Sequence, residues 1–219
     1  MNTSFLFCIL LSFCFRFCSS DNDNLRDYCP TAISGPQTIF INGLPCKNPV
    51  TVMPSDFKTT LLNHEGDTDN YYRSSMNIVT AAEFPGLNTL GLAIARTDMA
   101  LDGMVMPHAH PRATEMLFIS KGTVIAGFVD TKNDLYLRRL HEGDVYVLPQ
   151  GMLHFYLNAG YELATAFSYF NSQNPGVVGI ANALFDFTPD FVKRLRERLL
   201  LSLTALEIEN IRNLTLFKF

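Results

Sequence analysis

The chain has no tryptophan among its 219 residues, only five histidines and only five cysteines, and each scarcity narrows what it can be. It has no basic tract: 17 Lys and Arg face 21 Asp and Glu, for a formal net charge of −4. A nucleic-acid binder needs a concentrated basic face to meet phosphate, so that class is set aside. There is no Cys-x-x-Cys pair, no Cys/His zinc spacing, no internal repeat and no low-complexity tract. Long apolar runs are also missing. The longest, Phe5 to Phe15 within MNTSFLFCILLSFCFRFCSS, is shorter than the roughly 20 residues of a membrane span.

That opening run is followed by small residues at Ser19 and Ser20 and then by the acidic stretch DNDNLRD. The pattern predicts a secretory signal over residues 1–20, cleaved near Cys18 to Ser20, and a mature protein outside the cell with no membrane span. Cys8, Cys14 and Cys18 leave with the signal, so Cys29 and Cys46 remain. In an oxidising compartment they make one expected disulfide, two unrelated free thiols being the alternative.

Residues 21–75 read as a loop-rich arm, with turn chemistry at NGLPCKNP and NHEGDTDN. From residue 76 to 180 the pattern is strand-like: NIVTAAEF, TLGLAIARTDM, EMLFISKGTVIAGFVD, LYLRRL, GDVYVLPQG, HFYLNAG and ELATAFSYF are short β-branched and aromatic runs punctuated by turns. Lys121-Gly122 and Lys132-Asn133-Asp134 are expected hairpin turns. Residues 181–219 change period. Thr188 stands as N-cap before Pro189, and apolar residues at Phe191, Val192, Leu195, Leu199, Leu200 and Leu203 predict an amphipathic helix.

The chemistry concentrates in PHAHPRATEMLFISKG. In extended chain alternate side chains share a face, so His108 and His110 point the same way, and the turn PRAT can bring Glu115 to join them. A third imidazole is available from a neighbouring strand in GDVYVLPQGMLHFYLN, at His154. Alone, His154 reads as a core histidine satisfied by a backbone carbonyl; beside the first segment it reads as a third ligand. Imidazole nitrogens with one carboxylate suit a borderline divalent ion. His64 and His141 lie in charged, turn-like contexts as exposed bystanders.

The two segments resemble the paired motifs of the cupin superfamily, and specifically those of the plant germins and germin-like proteins. His108, His110, Glu115 and Gly122 match the first motif, including PRATE, with Asp102 where the leading glycine would stand. Gly143, Pro149, Gly151, His154 and Asn158 match the second in full. FINGLPCKNP, EFPGLNTLGLAIARTD and FNSQNPGVVGIANALF extend the likeness over about residues 25 to 185. The resemblance implies an all-β fold, a cupin β-barrel (jelly roll) with a C-terminal α-helical extension. It implies one ion, usually manganese (Mn2+/Mn3+), held by His108, His110, Glu115 and His154, and a Cys29–Cys46 disulfide. It also implies a homo-oligomer, a hexamer built as a trimer of dimers, in the apoplast or cell wall. The sequon at Asn213 is a candidate glycan site.

Two departures shape the functional expectation. Oxalate-oxidising germins grip their substrate with two asparagines, at positions taken here by Ala95 and Val105, and neither can donate a hydrogen bond to a carboxylate. Oxalate oxidation is therefore demoted below superoxide dismutation, an activity of germin-like proteins without those asparagines. The rival is an extracellular structural or binding protein whose metal only stabilises the barrel. The tail departs too: ALF leads almost directly to DFTPDFVKRL, and TALEIENIRNLTLFKF has no match, so a dimer or trimer could replace the hexamer.

Overall fold

The computed structural model of the protein describes residues 27–32 and 43–180. The signal segment, the helix expected from Thr188 and the Asn213 sequon lie outside the described residues. Among the described residues ten strands form: β1 Ser74–Val79, β2 Ala93–Met99, β3 Met104–Ala109, β4 Glu115–Lys121, β5 Thr123–Val129, β6 Leu135–His141, β7 Val145–Leu148, β8 Leu153–Asn158, β9 Ala164–Phe170 and β10 Val178–Gly179. They make two five-stranded antiparallel sheets of order β1-β2-β9-β4-β7 and β10-β3-β8-β5-β6. The fold is all-β, as expected, and most connections cross from one sheet to the other.

Period-two burial builds the interior. In β4, Glu115, Leu117 and Ile119 are buried while Met116 is exposed; in β8, His154, Tyr156 and Asn158 are buried. Met99, Leu117, Ile119, Val124, Leu148 and Tyr156 meet between the sheets, each fully buried aliphatic contributing about 1.5–3 kcal/mol. The ionisable residues Glu115 and His154 therefore share faces with core residues, where a charge is costly unless it is partnered.

One expected turn is different. Lys121-Gly122 does not close a hairpin: β4 pairs with β7 and β9, whereas β5 pairs with β6 and β8 in the other sheet. It is a corner. Gly122 has φ +85, and an added Cβ would come within 3.0 Å of Ala164 Cα, so a side chain there meets both strain and backbone. The turn at Lys132-Asn133-Asp134 does close a hairpin, with Val129 opposite Leu135.

The arm is tied down covalently and by one buried side chain. Cys29 and Cys46 are joined. Asn88, fully buried, donates to the carbonyls of Cys29 (3.0 Å) and Leu44 (2.8 Å) and accepts from the Leu44 N–H at 2.9 Å. The bridge spans a sequence separation of 17, a loop closure that stabilises by about 3 kcal/mol in the chain-entropy model. Reduction is expected to lower the melting temperature by about 6–12 °C, read by calorimetry with and without dithiothreitol; identical melts would mean that Asn88 and the backbone bonds of Thr31, Ala32 and Lys47 hold the arm without the bridge.

Candidate metal centre

His108 lies in β3 directly opposite His154 in β8. Glu115 opens β4 in the facing sheet, and His110 sits in the connection between β3 and β4. The structure thus brings all four expected site residues together, from both sheets, and each is at least 96% buried by the exposures of 4, 1, 1 and 1% for His108, His110, Glu115 and His154. His64 and His141 are exposed and take no part.

Local chemistry explains why the connection holds this shape. Gly151, at φ +73 in the Pro-Gln-Gly turn, donates its N–H to the His110 carbonyl at 3.0 Å, and Gln150 Nε2 donates to the Pro111 carbonyl at 2.8 Å. On the other side Arg112 Nε donates to the Asn174 carbonyl at 2.8 Å, and the Thr114 N–H donates to Asn171 Oδ1 at 2.8 Å. The second motif and the segment after β9 therefore clamp the turn that carries His110.

The imidazoles are oriented through their outer nitrogens. Nδ1 of His108 lies 2.8 Å from the Met106 carbonyl, Nδ1 of His154 lies 2.8 Å from the Met152 carbonyl, and Nδ1 of His110 lies against the Gly176 carbonyl. A carbonyl only accepts, so each Nδ1 carries the proton and each Nε2 presents a lone pair, the tautomer assigned by the hydrogen-bond network. Those lone pairs converge. Nε2 of His154 is 3.1 Å from Nε2 of His108, and Glu115 Oε2 is 3.2 Å from Nε2 of both His110 and His154. Four acceptors thus face one another inside the barrel, and His110 Nε2 and Glu115 Oε2 have no hydrogen-bond partner. Only a proton or a cation shared among them satisfies such a cluster.

A divalent ion fits that demand. The four donor atoms all lie within 4.8 Å of one another, and donors at right angles about 2.2 Å from one ion stand roughly 3.1 Å apart. Ionisation is matched to the task. Burial and the neighbouring His154 pull His108 down to about 4, against the Met106 carbonyl and Glu115, so it is neutral near pH 7. Burial pushes the Glu115 carboxyl up, but a proton shared with the His110 and His154 imidazoles, together with the Ser168 hydroxyl, outweighs it and holds the group below the ordinary carboxylate range. A neutral imidazole and an ionised carboxylate are the forms in which such side chains bind a metal.

Two contacts of the site were not anticipated from the sequence. Ser168 Oγ donates to Glu115 Oε1 at 2.6 Å, and the Tyr156 phenol reaches the same oxygen at 3.4 Å. Tyr156 follows His154 by two and so shares its face, a signal that period two carries. Ser168 carries no such signal, because its approach to Glu115 depends on the pairing of β4 with β9. Beside His108 lies a cavity of about 300 Å³ whose walls include Met76, Met104, Val105 and Met106. Ala95 is buried with Ala93, Ala113 and Phe170.

Comparison with known proteins identifies the family and the fold. Residues 60–201 match the Cupin family model. "Germin-like protein 11-1" of Oryza sativa subsp. japonica is 56% identical over 181 residues, covering 83% of this chain and 82% of that protein. "Germin-like protein subfamily 3 member 4" of Arabidopsis thaliana is 52% identical over 189 residues, covering 85% and 90%. A solved oxalate oxidase superposes with a TM-score of 0.73 at 32% identity, covering 80% of this chain and 96% of its own.

Proposed function

Because the chain belongs to the cupin family, among its germin-like proteins, we propose that it is a secreted manganese protein that dismutates superoxide. The observation that carries this reading is the convergence of three Nε2 lone pairs and one carboxylate oxygen on a single buried point. His108, His110, Glu115 and His154 would hold the ion. When bound, manganese supplies the one-electron chemistry, alternating between its +2 and +3 states.

The chain's own residues do the rest. The carbonyls of Met106, Met152 and Gly176 keep each imidazole in its ligating tautomer. The Met-lined cavity reaches His108, and Val105 in its wall offers no donor to a dicarboxylate; neither does the buried Ala95. That absence weighs against oxalate oxidation, although an oxalate oxidase shares the fold. The first 20 residues support export to the extracellular space, apoplast or cell wall, and among the described residues no helix is long and apolar enough to cross a membrane. A homo-oligomer, the hexamer as a trimer of dimers, belongs to the same reading, as does a glycan at Asn213.

The rival reading is an extracellular structural or binding protein whose metal only stabilises the barrel, and chelation separates the two. Ion present at a hundred times its Kd stabilises by about 2.7 kcal/mol, or roughly 5–11 °C in melting temperature. Elemental analysis and electron paramagnetic resonance on the secreted protein are expected to find manganese. Stripping it with EDTA is expected to abolish dismutation as well as lower the melt, and manganese(II) to restore both. A melt that falls while the protein is inactive throughout would establish the stabilising role instead.

A further inference from the structure

Glu115 uses its two oxygens differently. Oε2 faces Nε2 of His110 and of His154 at 3.2 Å, while Oε1 turns away and accepts from Ser168 at 2.6 Å and from Tyr156 at 3.4 Å. Ser168 and Tyr156 have no exposed surface, and Glu115 is only 1% exposed. Ser168 comes from β9, where its Cα partner in β4 is Leu117, so it sits diagonally beside Glu115 on the inner face. Tyr156 comes from the opposite sheet, two residues beyond His154.

A carboxylate held by nothing but its ligand bond can swing to give both oxygens to one ion. Doing so would take a second coordination position on an ion that prefers six ligands, leaving one fewer for an exchangeable partner. Here that swing is opposed on both sides of the barrel. We infer that Ser168 and Tyr156 are positioning residues that hold Glu115 Oε1 out of the centre, so that Glu115 presents a single oxygen, with Ser168 the stronger restraint. The inference rests on the metal reading above and adds to it the two hydroxyls that fix how many positions the protein fills.

The test uses the full-length secreted protein and its Ser168→Ala, Ser168→Thr and Tyr156→Phe variants, each titrated with manganese(II). Removing a group that orients a ligand weakens ion binding by about 10–100-fold. Ser168→Ala is expected to raise the Kd by that factor and to change the zero-field splitting in the electron paramagnetic resonance spectrum of the bound ion. Tyr156→Phe, which keeps the ring volume, is expected to change the same splitting with a less than ~10-fold loss. Ser168→Thr, which keeps the hydroxyl, is expected to recover the wild-type spectrum.

Wild-type Kd and spectrum in Ser168→Ala would overturn the inference. An equal fall in melting temperature with and without the ion, at unchanged spectrum, would do the same, since that marks a purely structural hydroxyl. If Ser168→Ala does not fold, Tyr156→Phe decides, and an unchanged splitting there is fatal. Wild-type protein that takes up no manganese(II) would instead remove the metal reading itself, and this inference with it.

Discussion

The His154→Ala protein is expected to bind manganese(II) more than ~100-fold more weakly than wild type and to show no superoxide dismutation. The floor comes from the roughly 10–100-fold cost of losing a group that merely orients a ligand; His154 is placed to be a ligand. Its Nε2 is the hub of the cluster, 3.1 Å from Nε2 of His108 and 3.2 Å from Glu115 Oε2. Alanine keeps the strand and removes the donor. It also removes the imidazole's bond to the Met152 carbonyl, so thermal melts of the metal-free proteins must accompany the titration to separate folding from binding. Equal activity in variant and wild type would take the ion out of the reaction altogether.

Asn158→Leu carries the largest expected effect on stability, and it acts at the other end of the same strand. The Asn158 side chain is 1% exposed. Its amide nitrogen lies within 3.0 Å of the carbonyls of Met99, Ala100 and Glu162, and its Oδ1 accepts the Gly160 N–H at 2.9 Å. It therefore fastens the exits of β2 and β8 and the approach to β9. Leucine matches its size but takes the partner from the Gly160 N–H and the Glu162 carbonyl, while the Ala100 carbonyl keeps the Gly103 N–H. Each group left unpaired costs about 1–3 kcal/mol, so a loss on the order of 4 kcal/mol is expected, or about 8–16 °C in melting temperature. Position 158 is four residues from His154, about 13 Å along an extended strand. The folded fraction should accordingly keep its affinity for manganese(II). A melt within two or three degrees of wild type, on this scale, would show that water replaces the amide without penalty.

The centre was legible in the sequence where its geometry is local. Alternation in extended chain puts His108 and His110 on one side, and the turn after Pro111 delivers Glu115. His154 became legible only beside the first segment, because its neighbours Phe155 and Tyr156 suit an ordinary core strand equally well. What stayed hidden depends on which strands pair. The crossing at Lys121-Gly122 looked like a hairpin because a Lys-Gly dipeptide serves a tight turn and a corner alike; only the pairing of β4 with β9 decides between them. The same long-range pairing sets Ser168 beside Glu115, so no local pattern could announce it. Asn158 stood in the second motif with no role attached, since two of its three acceptors lie 58 and 59 positions away at Ala100 and Met99.

Neither sheet owns the donor set. The carboxylate belongs to one layer and two of the imidazoles to the other, so a cation seated among them is a rivet through the sandwich. Prising the layers apart would part the oxygen from those two nitrogens, and the escape rate of such an ion would become a clock for how often the barrel opens.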